Sequence, residues 1–239
     1  MFKDIKQVMK DSVLYGIGNV AVKLVGFILI PLYTDAEYFS TADYGLMGLL
    51  EVTSQILIAV MGLSLYSGLI RWYWDAEYRD KQKTIFFTTL LFTILTSLCI
   101  GSVLWLNVGE LSALLVQQEG YSLGGELPYI LQLLILTSML GAVVEVPQNL
   151  LRLQRKPIYY SLTNIVRLFV TLVLTIYFTI SLHRGVSGVY EAQLVGIVIQ
   201  LLMVLPLVIK NSSCRVDRRC TIQLLAYSYP LVFPAIVGS

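Results

Sequence analysis

Charge is what this sequence has least of. Only 13% of its 239 residues are Asp, Glu, Lys or Arg, where a soluble domain carries about a quarter. Hydrophobic residues make up 56%, and the mean hydropathy is +0.74. That excludes an ordinary water-soluble globule. Histidine occurs once, at His183, and cysteine three times. Cys99 falls inside an apolar run and reads as packing. Cys214 and Cys220 flank a short basic stretch with no histidine nearby, which is not a zinc pattern. No Ser/His/Asp set and no glycine-rich phosphate loop appears, so no enzyme constellation can be assembled. No metal and no cofactor is expected. The net charge of +2 comes without a nucleic-acid patch, so no nucleic-acid partner is expected either. No low-complexity linker divides the chain.

What is there is a series of long apolar runs, continuous rather than alternating, which excludes a β-barrel. A helix needs about 20 apolar residues to cross a bilayer. The runs predict spans at 12–33, 44–70, 84–107, 127–151, 158–181 and 189–210, with a further stretch at 222–238. The expected fold is an all-α integral membrane bundle of six helices plus the start of a seventh. It divides into a cytoplasmic N-terminus (1–11), a six-helix lobe (12–210), a cytoplasmic connector (211–221) and the opening of helix seven (222–239), where the chain reads as truncated. The N-terminus does not read as a cleaved signal peptide. Gly16, Gly18, Asn19 and Lys23 interrupt its apolar run, and no small-x-small site follows.

Lysine and arginine orient the bundle. Lys3, Lys6 and Lys10 precede the first span. Arg71, Arg79, Lys81 and Lys83 follow the second, Arg152, Arg155 and Lys156 the fourth, and Lys210, Arg215, Arg218 and Arg219 the sixth. That places 14 of 17 basic residues on one side. Arg184 alone is opposite, among external loops that carry Asp35, Glu37, Asp43, Glu110, Glu119 and Glu126. The asymmetry predicts a multi-pass protein of the cytoplasmic membrane with its N-terminus in the cytoplasm.

Lys23, Glu51, Glu145 and Arg167 fall inside spans. A charge at the bilayer centre costs about 2.5–3.5 kcal/mol on insertion scales, so it faces a partner or a water-filled cavity. Each belongs to a polar stripe on one helix face: Asn19 with Lys23; Gly48, Glu51 and Gln55; Ser138, Gly141, Glu145, Asn149 and Arg152; Asn164, Arg167 and Thr171. Comparable depths allow two ion pairs, Lys23 with Glu51 and Glu145 with Arg167. Structural pairing and a cavity role both remain open. The third span has hydroxyls and Cys99 but no charge, and is expected to face lipid or pack peripherally. Pro147, two residues after Glu145, is the hinge candidate. Pro31 and Pro206 read as ordinary kinks. Trp72, Tyr73, Trp74, Tyr159 and Tyr160 read as an interfacial belt.

Several segments carry a family resemblance: SVLYGIGNVAVKLVGFILIPLYT (12–34), FSTADYGLMGLLEV (39–52), LLRLQRKPIYYSLTNIVR (150–167), GVSGVYEAQLVG (185–196) and LLAYSYPLVFPAIVGS (224–239). Together they resemble the bacterial polysaccharide-biosynthesis membrane proteins. These are the O-antigen and exopolysaccharide lipid flippases of the multidrug/oligosaccharidyl-lipid/polysaccharide exporter superfamily. The resemblance implies two six-helix lobes around a central cavity and alternating access that moves a lipid-linked oligosaccharide outward. This chain then supplies the first lobe, and its partners are the bilayer, that substrate, a second lobe and other polysaccharide assembly proteins. The substrate implied is a diphosphate-linked sugar repeat, so Lys23 and Arg167 are the candidate anion contacts. Glu51 and Glu145 are coupling-ion or gating candidates, and Asn19, Gln55, Asn149 and Asn164 are polar cavity candidates. Two other classes compete: a drug or metabolite cation antiporter of the same superfamily, and a non-transporting scaffold for a polysaccharide assembly complex. A membrane glycosyltransferase is disfavoured, because no carboxylate cluster suited to sugar transfer is present.

Overall fold

The computed structural model describes residues 27–35, 37–119, 125–213, 215–216, 218–231 and 234. Those residues are helical throughout, joined by short turns and without a strand. Helix α1 is described over 27–33. It is followed by α2 (Thr41–Gly62), α3 (Leu65–Trp72), α4 (Gln82–Leu106), α5 (Val108–Glu119), α6 (Leu127–Leu153), α7 (Pro157–Ile176), α8 (Gly185–Asn211) and α9 (Arg218–Ser228). A π turn, Tyr177–Ser181, prolongs α7. Thr41–Gly62, Tyr78–Leu106, Leu127–Leu153, Pro157–Ser181 and Gly185–Asn211 are long and apolar enough to cross a membrane. They match five of the six expected spans. The first span, with Asn19 and Lys23, lies almost wholly outside the described residues.

Local chemistry sets the ends of these helices. The Phe-Ser-x-x-Asp-Tyr-Gly segment is a capping box. Ser40 Oγ accepts from the Asp43 amide at 3.1 Å, and the Ser40 amide donates to Asp43 Oδ2 at 2.9 Å. α6 ends in a Schellman motif: the Arg155 amide bonds Arg152 O and the Lys156 amide bonds Leu151 O, both at 3.0 Å. Arg155 occupies the left-handed position usually given to glycine, at φ 51°. Pro157 then opens α7 at its first turn, where its missing N–H costs nothing.

α6 is the axis of the bundle, packed by α2, α4 and α8, with α3, α5 and α7 beside it. Small residues let the neighbours approach. Gly101 of α4 lies against Met139, Gly141 against Ile58 of α2, and the Ser54 and Ser138 hydroxyls meet at 3.0 Å. Two apolar cores result. One, with Leu46, Leu50, Ile130 and Tyr190, lies toward the acidic end. The other, with Leu69, Phe86, Leu150 and Leu151, lies toward the basic end. α7 leaves Ile158, Leu162, Ile165, Phe169, Val173 and Ile176 exposed at spacings of three and four, one apolar face suited to lipid.

Four expectations need correction. The span read at 44–70 is broken, because Leu63 and Ser64 adopt φ 45° and 49° and separate α2 from α3. Left-handed backbone at a non-glycine residue costs about 1–2 kcal/mol. Neighbours offset it: Thr96 Oγ1 of α4 donates to Met61 O at 2.7 Å, and the Leu63 amide bonds Val60 O at 3.2 Å. The third span faces outward along Leu95, Leu98 and Val103, but its hydroxyl face is packed into the bundle. α4 buries Thr88, Thr89, Thr93, Ser97 and Gly101 against the bundle, and Cys99 instead faces outward. Thr89 bonds back to Ile85 O at 2.9 Å, so its hydroxyl enters the core satisfied. The acidic connector after the third span, expected as an external loop, folds partly into α5. Finally, α9 begins at Arg218, inside the expected connector, and gives way at Ser228 to a 3₁₀ turn, Tyr229–Leu231. Pro230 lacks the N–H that would continue the helix.

Candidate functional site

α7 and α8 carry the first polar group. They approach closely at Gly196, where an added Cβ would lie 2.1 Å from Thr171 Oγ1 and 3.3 Å from Arg167 O. That contact sets Arg167 beside Gln200. Arg167 Nη1 donates to Gln200 Oε1 at 3.2 Å, and Gln200 Nε2 donates to Asn164 Oδ1 at 3.0 Å. Gln200 is buried, so its amide orientation is fixed by its two partners. Arg167 uses one of five N–H donors on Gln200.

Glu51 and Gln55 form the second group, on α2. Gln55 Nε2 donates to Glu51 Oε1 at 3.3 Å. Both are exposed, as is Gly48 one turn away, where an added Cβ would meet nothing within 4 Å. The stripe expected at Gly48, Glu51 and Gln55 therefore shares one open face. Glu51 is the carboxylate within electrostatic reach of Arg167, Tyr33 and Tyr190.

The third group lies toward the basic end. Glu145 is half-buried, with Oε2 4.0 Å from where a Cβ on Gly62 would stand. Arg152 is the cation within its electrostatic reach, and Tyr66 of α3 is also near both. Arg152 lies over the Tyr160 ring at 4.6 Å and donates to the Tyr160 hydroxyl. Asn149 Nδ2 donates to Glu145 O at 3.0 Å, and Gln148 Nε2 to Thr163 Oγ1 at 2.9 Å.

These positions correct one expected pair. Glu145 and Arg167 do not meet, since Arg167 turns toward α8 while Glu145 turns toward the α2–α3 break. Pro147 is buried within α6, which runs on to Leu153, and a separate break in the backbone falls at Leu63–Ser64. Sequence reasoning missed Tyr33, Tyr190 and Tyr66 as site neighbours, and saw Gln200 only as a polar residue near the middle of the sixth span. Among the described residues no three His, Cys, Asp or Glu side chains converge as a metal site would require.

No family model matches the chain, and no curated protein matches it. Solved structures do. One is an outward-facing multidrug resistance MATE family transporter of the MOP superfamily, with a TM-score of 0.73 and 18% identity, covering 97% of this chain and 52% of that one. Another is a MOP superfamily transporter from Pyrococcus furiosus Vc1, described as having a binding pocket of reversed polarity. Its TM-score is 0.72 at 18% identity, with the same coverage. A mutant of the Vibrio cholerae MATE transporter VcmN matches with a TM-score of 0.70 at 16% identity, over 97% of this chain and 53% of that one. The lobe has the fold of half of such a transporter. The chain spans about half the length of the structures it matches.

Proposed function

We propose that this chain forms the first lobe of an alternating-access exporter that flips a lipid-linked oligosaccharide or polysaccharide repeat outward across the cytoplasmic membrane. The observation that carries the reading is the open polar face of α2. Gly48, Glu51 and Gln55 are exposed at a depth where apolar lipid would otherwise lie. Ionisable groups at that depth belong against water or protein. A second lobe across a wet cavity answers that need, and the match to about half the length of a solved transporter agrees with it. Arg167 supplies a guanidinium with spare donors, suited to a diphosphate or an acidic sugar. Lys23 joins it in this proposal, with Asn19, Gln55, Asn149 and Asn164 as polar lining and Pro147 as a flexing point.

One observation favours a second reading. Glu51 is exposed on the same face and its Oε1 accepts from Gln55, an arrangement that also suits a cationic drug or metabolite carried by an antiporter. Deleting the gene separates the two. Loss of surface polysaccharide with unchanged drug sensitivity supports the flippase. Raised sensitivity to cationic drugs with intact polysaccharide supports the antiporter. A scaffold is the outcome if neutralising every intramembrane charge leaves surface polysaccharide intact.

A further inference from the structure

We propose that Glu145 is a proton-binding site whose occupancy sets the bend between α2 and α3, an inference that rests on the exporter reading and gives its lobe a built-in switch. Four observations converge on it. The Glu145 carboxylate lies against Gly62, the last residue of a 22-residue helix. Beyond Gly62 the chain turns through two successive left-handed residues, Leu63 and Ser64. Among the described residues no group donates a hydrogen bond to this carboxylate, and no cation lies within ion-pair distance of it; Asn149 bonds only its backbone carbonyl. The break also borders an apolar cavity of about 380 Å³, lined by Leu63, Leu65, Leu225, Ala226 and Tyr229, which leaves room for α3 to shift.

The two protonation states favour different neighbours. The C-terminal end of α2 presents carbonyl oxygens and a partial negative charge. A neutral carboxyl has an O–H to donate to such carbonyls, and it rests there without repulsion. The ionised carboxylate is repelled by the same helix end and drawn toward Arg152. Among the described residues, the charged and titratable groups within its electrostatic reach are Arg152 on α6 and Tyr66 on α3. At its level α2 and α4 contribute Gly62 and Thr96, which do not titrate. Binding is addition of one proton to a carboxylate oxygen, and release returns it to water. Because α3 packs on α9 through Gly68, Leu224 and Ser228, with Arg71 5.0 Å above the Tyr227 ring, any change at the break moves α9 with it.

The test uses the protein expressed from its own gene, purified into lipid nanodiscs with no substrate present. Val52→Cys on α2 and Ile222→Cys on α9, both exposed, carry spin labels in a background of Cys99→Ser, Cys214→Ser and Cys220→Ser. Distance distributions are recorded from acid to alkaline pH. The expected result is two populations whose ratio titrates in the parent, a single pH-independent population in Glu145→Gln, and an unchanged titration in Glu51→Gln. An unaltered titration in Glu145→Gln, or none in the parent, overturns the proposal. If Glu145→Gln does not fold, Glu145→Asp decides, since an unmoved midpoint in that variant also overturns it. The readout needs no transported molecule, so it stands or falls separately from the export assay.

Discussion

Arg167 and Gly196 show how one side chain's role depends on another helix. Arg167→Ala removes the bond to Gln200 and the only guanidinium described near the α2 face. A hydrogen bond to a charged group contributes about 1.5–3 kcal/mol, so export of an anionic substrate should fall roughly 10- to 100-fold. Arg167→Lys keeps the charge without the planar fork and should fall between, as initial export rates would reveal. Gly196→Ala drives a Cβ toward Thr171 Oγ1 and the Arg167 carbonyl. Both Thr171 and the α7 backbone must give way to admit it, so a loss of about 1–3 kcal/mol is expected in detergent unfolding curves. The Asn164–Arg167 stripe was legible because spacing within one helix is fixed by its pitch. The turn of Arg167 toward Gln200 was not, because the rotation of α7 against α8 is decided by the Gly196 contact between the two helices.

At the scale of elements, the break between α2 and α3 is the feature with the clearest energetic signature. Leu63→Gly relieves one left-handed residue but gives up a side chain packed on the basic-end core, so it should be destabilised by about 1 kcal/mol less than Leu63→Ala, which loses the same packing and keeps the strain. Thr96→Val strands the Met61 carbonyl and should destabilise it by about 1 kcal/mol. Thermal unfolding, side by side, should place Leu63→Gly above Leu63→Ala and Thr96→Val below the parent. The break left no mark in the sequence, since Leu63 and Ser64 interrupt neither hydropathy nor helical spacing and no proline marks the site. Other boundaries were written there but in less obvious residues. The α2 capping box is spelled by Ser40 and Asp43, and the α6 terminus relies on Arg155 where a glycine would have announced it. For α4, hydroxyls suggested a lipid-facing helix, yet Ser97 and Gly101 are small enough to pull it against α6.

At the scale of the whole molecule, hydropathy alone located five of the six expected spans, because crossing a bilayer demands length and apolarity that no other fold requires. Basic asymmetry adds an orientation that accessibility labelling checks. Single cysteines at Glu37 and Arg184 should react with an impermeant reagent in intact cells, and those at Lys156 and Arg215 only after permeabilisation. What the sequence did not reveal is which polar stripe stays open. The stripes of α6 and α7 are largely taken up by neighbours, whereas that of α2 is exposed along Gly48, Glu51 and Gln55. The central claim is that this open face belongs to a cavity receiving an anionic, lipid-linked sugar. The most direct measurement is flipping of a fluorescent diphosphate-linked oligosaccharide in proteoliposomes by the protein expressed from its own gene. The account predicts outward movement that Arg167→Ala reduces at least roughly tenfold, in line with a lost charge-assisted bond. Full-rate flipping by Arg167→Ala, or movement of a cationic dye in place of the oligosaccharide, would contradict it.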